Sequence, residues 1–508
     1  MILSAAALRP NDTALDDLTR RLTWRELDDR ARRVARFLRD DLGLGPEDHA
    51  AVLMANRVEA VELVLGAMLA GVWLTPINHH LTAEEVAYIV EDSGARVVFT
   101  DAEHEAVARA AIAPSAEPPE VLVAGASIES ALASASDEPL PDDGPPGATM
   151  IYTSGTTGRP KGVKRARAAT VREAFASAVA AGATLGLDGS GPHLVTGPLY
   201  HAAPLLFAVY DMIAGAPVVV MPRFDACHAL ELIGQRRIRH THLVPTMFVR
   251  LLRLPEEVRA TFDPSSLSVV LHGAAPIAAD VKRAMIEWWG PVLVEYWGAT
   301  ESGVATLVGS AEWLAHPGTV GRATASFEVF AADEAGTRLP PGEVGTLCLR
   351  HKRLAKPFEY HLACAKTGEA YLDGGAFMIG DIGRVDADGY VYLADRKSHT
   401  IISGGVNIYP AEVEEALQRH PAVADVAVFG IPDDEWGEQV KAAVELAEGW
   451  TASPALAEEL IAFARSHLAA YKAPRSIDFE ARLPRHPTGK LYTRLLREPY
   501  WKGRERRI

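Results

Sequence analysis

The sequence predicts an α/β protein with a large N-terminal domain and a small, mobile α+β C-terminal domain. The large domain is expected to combine parallel-rich sheets and helices with an antiparallel β section. Three observations carry this reading. From His49 to Trp297 short apolar runs alternate with helix-length stretches, the pattern of strands joined by covering helices. After Thr319 the helix-length stretches give way to short alternating strands and turns such as DADG, which reads as antiparallel. Beyond Arg396 lies a tail of roughly 110 residues, enough to fold alone.

In chain order, AAVLM reads as a strand, Val58 to Gly71 as a helix, VWLTPI as a strand, Ala83 to Glu91 as a helix and ARVVFT as a strand. The stretch from Ile112 to Gly147, rich in Ala, Pro, Ser and acidic residues, reads as a connector. HLVTGP, APVVVMP, THLVP, LSVVLHG and PVLVEYW resume the rhythm. Parallel sheets of this kind place ligand-binding loops at the carboxyl ends of their strands. SFEVFAA, VGTLCLR and GYVYLAD form the antiparallel section. A boundary between Asp395 and Thr400 divides domain 1–395 from domain 396–508. The second domain reads as a loop (ISGGVNIYP), a helix near Ala411 to Arg419, two strands, a helix near Pro454 to Leu468 and a strand near Ile477.

Lys plus Arg number 51 against 66 Asp plus Glu, a net charge of −15, which disfavours nucleic acid as the main partner. Three cysteines, Cys227, Cys348 and Cys364, give no paired short spacing, hence no disulfide framework or zinc site. The start MILSAAALRP has neither a basic region nor a long apolar one, so no signal peptide is expected. Leu63 to Pro76, the most apolar stretch, is too short for a membrane span and reads as a buried helix running into a strand. A cytoplasmic protein is expected, with a homodimer allowed.

YTSGTTGRPKG (152–162) packs glycines, hydroxyls and Lys161 into one stretch, a composition suited to a polyphosphate and equally that of a surface turn. It is not a Walker loop. Lys161 follows Pro160 and precedes Gly162, and Arg159-Pro160 disfavours the helix that should begin there. LHGAAPI puts Gly273, Ala274 and Ala275 after a strand, where a flat ring could lie against backbone or a helix could pack. EYWGATE ends a strand with the stacking face of Trp297 and with Glu301, a hard oxygen ligand suited to magnesium. Gly380-Asp381 precedes a turn, where Asp381 could accept ribose hydroxyls or be an ordinary turn acidic residue, and Arg396 could meet a phosphate, ribose or carboxylate.

YTSGTTGRPKG, YHAAP, HGAAP, EYWGATE, GTVGR, the GD ending at 381, DRKSHTIISGGVNIYPAEVEEAL and PRHPTGK occur in this order. Together they resemble the adenylate-forming superfamily of acyl-CoA synthetases, luciferases and peptide-synthetase adenylation domains. The look is closest to fatty-acid-type acyl-CoA synthetases, and it spans nearly the whole chain from LTWRELDDRARRVARFL onward. The resemblance implies ATP, Mg2+ and CoA as cofactors. Thr153, Ser154, Thr156, Thr157 and Lys161 would hold the β- and γ-phosphates, and Gly273, Ala274, Ala275 and Trp297 the adenine. Thr300 would contact phosphate, Glu301 the magnesium, and Asp381 and Arg396 the ribose. Lys490 would bridge the substrate carboxylate and the α-phosphate. Ser398 would be the hinge, and Gly404-Gly405 would lie in the loop that meets the thiol.

Ser398 stands where relatives usually carry Asp or Lys, and Trp297 where tyrosine is usual. Residues 357–381 match the usual glycine-aromatic pattern only loosely. His201 stands where peptide-synthetase adenylation domains place an aspartate for the substrate's ammonium, which disfavours amino acids; a packed core histidine is the other reading. With Gly273, Gly298 and Ala299 it suggests a pocket for an apolar medium-chain, branched, cyclic or aryl acid. The implied reaction activates that acid as acyl-AMP and transfers the acyl group to CoA. Alternatives are loading of an acyl carrier protein, or a non-catalytic binding relative.

Overall fold

The computed structural model describes residues 3–153, 160–275, 277–333, 335–396, 401–403, 406–408, 410–433, 437–468, 470–485 and 491–502. The chain groups into two compact units. The first comprises Met1–Ala274, Arg283–Leu314 and Arg353–Tyr371; the second comprises Ala275–Lys282, Ala315–Lys352 and Leu372–Ile508.

The first unit holds two parallel-rich sheets and a small antiparallel one. One sheet is wholly parallel, in the order Glu120–Val123, Ala95–Thr100, His49–Leu53, Trp73–Pro76, Ala148–Thr149. The other runs parallel from Thr13–Asp16 through Val218–Val220, His193–Val195, His240–Leu243 and Val269–His272 to Leu293–Ala299. Antiparallel partners, Arg21–Thr23 and Gly303–Gly309, flank this run. Helices carry the crossovers, and their ends follow from local chemistry. Trp24–Arg36 and Ala83–Ser93 open on capping boxes, Thr23 with Glu26 and Thr82 with Glu85, each satisfying two helix-start N–H groups for about 1 kcal/mol. Val58–Ala70 ends on left-handed Gly71 and is buried almost all round, as an apolar helix between layers must be. Trp24–Arg36 lies so close to it that a Cβ on Gly66 would sit 2.2 Å from Val34 Cγ1.

The connector expected over 112–147 contains the strand Glu120–Val123 and the helix Ser127–Ser134. Its short apolar VLV suffices because this is an edge strand, paired on one side only with Ala95–Thr100. Glu129 of that helix accepts from Arg30, whose guanidinium also meets buried Glu62.

The second unit contains the expected antiparallel section, with Phe327–Ala332, Gly345–His351, Ala376–Val385, Tyr390–Arg396 and Thr319–Ala323 in spatial order. Its C-terminal part pairs Val423–Asp433 with Gly437–Leu446 and adds Ser476–Glu480 in parallel. Ile401, Val413, Leu417, Val428, Val444 and Leu460 are among the side chains of a separate core there. A final helix, Thr493–Trp501, was not foreseen from sequence; Pro499 within it obscures its period. Among the described residues no helix is long and apolar enough to cross a membrane.

Candidate active site

The glycine- and hydroxyl-rich stretch joins two strands of a hairpin. Ile151–Thr153 pairs antiparallel with Lys161–Arg165, so that Thr153 faces Lys161 and Tyr152 faces Gly162. Lys161 therefore opens a strand, not the helix that a Walker loop would need. Ser154, Thr156 and Thr157 lie outside the described residues. The flanks are held firmly: Tyr88 Oη donates to the Pro160 carbonyl at 2.9 Å, and Tyr152 Oη donates to Asp92 at 2.6 Å. A Cβ on Gly162 would come within 2.9 Å of Met150 Sδ, so the strand runs close against the Met150 side chain.

The third strand of this small sheet is Phe358–Tyr360, with Tyr360 opposite Val163 and Phe358 opposite Arg165. This pairing brings in a residue that sequence reasoning missed. Tyr360 Oη donates to Glu301 Oε1 at 2.9 Å, and Lys161 Nζ stands 5.2 Å from the centre of the Tyr360 ring. Burial, reinforced by the neighbouring Glu301 carboxylate, pushes the Tyr360 phenol well above its ordinary pKa, so it remains a donor at all ordinary pH. Lys161 and Glu301, the residues expected to meet phosphate and magnesium, are thus linked through one phenol.

Glu301 and Thr300 sit half-buried in the tight turn between Leu293–Ala299 and Gly303–Gly309. Ser302 fixes that turn: its Oγ accepts from Ala299 N–H at 2.9 Å and donates to the Gly303 carbonyl at 2.8 Å. Gly303 is left-handed (φ +67), and a Cβ there would meet the Arg165 guanidinium at 2.9 Å. Gly298 is constrained more tightly, since its Cβ would lie 1.9 Å from the Gly303 carbonyl oxygen. Trp297 is buried opposite Thr306. At the end of Val269–His272, Ala274 adopts φ +66, a conformation that costs a non-glycine residue of order 1 kcal/mol and is found at ligand clamps.

His201 is the N-cap residue of helix Ala202–Ala214, half-buried, with its ring 4.6 Å from that of Tyr200. Deeper in the same unit, His242 Nε2 and Tyr296 Oη share a hydrogen bond of 3.1 Å. The Phe207 ring stands edge-on to both, at 5.5 and 5.3 Å. Burial above all, with smaller contributions from His193 and His201, pushes His242 down to about 3. It is therefore neutral at ordinary pH.

In the second unit, Asp381 is buried and lies directly opposite Arg396 on adjacent antiparallel strands. The two residues assigned to ribose are thereby backbone neighbours, although 15 positions apart in sequence. The side chain of Arg396 lies outside the described residues, as do Ser398, Gly404, Gly405 and Lys490. Lys490 is bracketed by described residues that hold together: Arg485 bridges to Leu491 and donates to both carboxylate oxygens of Asp425, at 2.5 and 2.6 Å. Ala275 opens the second unit.

The arrangement has counterparts. The family model of the AMP-binding enzymes matches residues 3–358, and that of the AMP-binding enzyme C-terminal domain matches residues 412–490. A long-chain-fatty-acid–CoA ligase, FadD13, of Mycobacterium tuberculosis is 34% identical over 489 residues, covering 94% of this chain and 93% of that protein. A fatty acid–[acyl-carrier-protein] ligase, ScoC, of Streptomyces coeruleorubidus is 34% identical over 505 residues, covering 96% and 93%. Among solved structures, the o-succinylbenzoate CoA synthetase MenE from Bacillus subtilis, in complex with its acyl-adenylate OSB-AMP, superposes with a TM-score of 0.81 at 28% identity, covering 99% of this chain and 98% of that one.

Proposed function

The chain belongs to the AMP-binding enzyme family and is an AMP-forming acid–thiol ligase; from that premise we propose that it activates an apolar carboxylic acid with ATP and passes the acyl group to the thiol of CoA. The observation that carries the reading is the Lys161–Tyr360–Glu301 cluster at the mouth of the glycine-rich hairpin. It brings one cation and one hard oxygen ligand close together, which supports a site for a polyphosphate and its magnesium.

A carboxylate is a poor electrophile because its carbonyl carbon carries an oxide that will not leave. Attack of that oxide on the α-phosphorus of ATP forms the acyl–O–P bond and breaks the bond to pyrophosphate. The thiol of CoA then displaces AMP from the acyl carbon. Magnesium, held by Glu301, would neutralise the phosphates during the first step. Thr153, Ser154, Thr156, Thr157 and Lys161 are the proposed phosphate contacts, with Thr300 beside them. Trp297 and the Gly273-Ala274-Ala275 backbone are the proposed adenine slot, and Asp381 and Arg396 the ribose clamp. Lys490 is proposed to stand between the two anions of the first step, where charge stabilisation is worth most. The separate core of the C-terminal part supports residues 396–508 acting as a mobile domain, with Ser398 as hinge and Gly404-Gly405 serving the thiol step.

The experiment is mass spectrometry of products after incubation with ATP, magnesium, CoA and pooled aliphatic, aromatic and cyclic acids. Thioester with AMP and pyrophosphate is the expected result, and ADP would overturn the reading. The carrier-protein ligase among the relatives favours one second reading, a protein-bound thiol as acceptor; acyl-adenylate without CoA thioester would select it.

A further inference from the structure

The final helix, Thr493–Trp501, starts just after Leu491, the residue that bridges to Arg485. Whatever holds this helix therefore also holds the downstream end of the stretch 486–490. Apolar packing gives it little: Leu491 and Leu496 lie against a small core that includes Ala427, Phe429 and Ile431 of Val423–Asp433, and no residue of the helix is buried. A helix this short is marginal without further contacts.

Its last turn supplies them. On Gly437–Leu446, the Lys441 side chain is only 7% exposed, and its Nζ donates to Asp478 Oδ1 at 2.7 Å and to Ser476 Oγ at 3.2 Å, both on the neighbouring parallel strand. The Tyr500 ring lies over this pair, with Lys441 Nζ 5.0 Å from its centre, and the Tyr500 hydroxyl donates to the other carboxylate oxygen, Asp478 Oδ2. Beside it, Trp501 Nε1 donates to the Gly430 carbonyl at 3.0 Å, and Arg497 reaches buried Glu438 at 3.5 Å. The upstream end of 486–490 has its own anchor, the two hydrogen bonds from Arg485 to Asp425.

We propose that the final helix is a latch that positions Lys490: Tyr500, seated on the Lys441–Asp478 pair, ties down the downstream end of the lysine's stretch as Arg485 and Asp425 tie down the upstream end. The proposal rests on the reading of Lys490 as the residue between the two anions of the first step, and deepens it. A stretch closed at both ends loses conformations that one tethered at a single end keeps. Placement matters because a shift of about 1 Å in a reacting constellation can cost ~10²-fold in rate. Tyr500 is a positioning residue, its hydroxyl committed to Asp478.

The test uses the full-length protein and measures each half-reaction by itself, with benzoate as the acid or, where wild type does not turn it over, the acid that the pooled panel selects. ATP–pyrophosphate exchange reports the first step, and thioester formation from the supplied acyl-adenylate reports the second. Tyr500→Ala is expected to slow the first step about tenfold at unchanged KM for ATP and to leave the second within about twofold. In a Lys490→Ala background the same substitution is expected to add nothing, because the latch acts only through the lysine. Equal loss in both half-reactions, a further loss in the Lys490→Ala background, or an undiminished first step would overturn the proposal. Lys490→Ala with a full first step would instead sink the lysine's assignment, whatever Tyr500 does. Hydrogen exchange needs no substrate: Tyr500→Ala is expected to speed exchange in Thr493–Trp501 at least ~10-fold, as loss of a hydrogen bond to a charged group implies, while Val423–Asp433 keeps its protection. Unchanged exchange in the helix would overturn the latch. Should Tyr500→Ala not fold, Tyr500→Phe, which keeps the ring over Lys441 and loses only the hydroxyl, is judged by the same criteria with a smaller first-step loss.

Discussion

Two regions of the first unit are built differently. The proposed phosphate end, around Lys161, Tyr360 and Glu301, is half-buried, polar and carried on turns and hairpin ends. The aromatic cluster of Tyr296, His242 and Phe207 is sealed within the sheet and its covering helix. A site that must admit ATP and change partners between two reaction steps needs accessible charge on short loops.

The largest expected effect belongs to the lysine proposed for the first step. Lys490→Ala should reduce acyl-adenylate formation by ~10²–10³, as loss of a transition-state charge partner commonly does, while thioester formation from supplied acyl-adenylate is largely kept. Equal loss in both half-reactions, measured by quenched-flow, would break the idea that the lysine serves one step only. Next in size is Tyr360→Phe, which removes the donor that orients Glu301. Groups that hydrogen-bond to metal ligands typically account for 10–100-fold, so a loss of about tenfold is expected, with a raised magnesium requirement in a titration of initial rates. An unchanged magnesium dependence would detach Glu301 from the metal.

These two predictions also mark what sequence makes legible. The hairpin stretch, EYWGATE and the Gly380-Asp381 pair announce themselves because each is contiguous and its residue types are unusual together, although Asp381 lies within the strand Ala376–Val385 and not beside a turn. Tyr360 does not: it is 199 positions beyond Lys161 and joins it only through the pairing of Phe358–Tyr360 with Lys161–Arg165. The apolar-aromatic FEY run is the one local hint. Tyr296 and His242 were hidden for another reason, since alternating strands such as THLVP and PVLVEYW read as ordinary core whichever way each ring points. The strand and helix within 112–147 were lost because Pro, Ala and acidic residues around VLV mask a short edge strand.

A smaller effect tests the sealed cluster. His242 titrates near 6.5 in an unfolded chain and is pushed down to about 3 in the fold. Between those values the unfolded state binds more protons, so the folded protein is favoured above about pH 6.5 and loses stability as pH falls through that window. One such proton contributes up to about 1.4 kcal/mol per pH unit. His242→Gln should flatten the decline of urea stability from pH 6.5 to 4.5 by a share of that size. An identical slope in both proteins would mean that His242 is not sealed.

The central claim is that activation precedes, and does not need, the thiol. ATP–pyrophosphate exchange, measured with and without CoA and with and without an acid such as benzoate, tests it most directly. Exchange that requires the acid and magnesium but proceeds without CoA is the predicted result. Exchange that appears only with CoA, or ADP in place of AMP, would contradict the account.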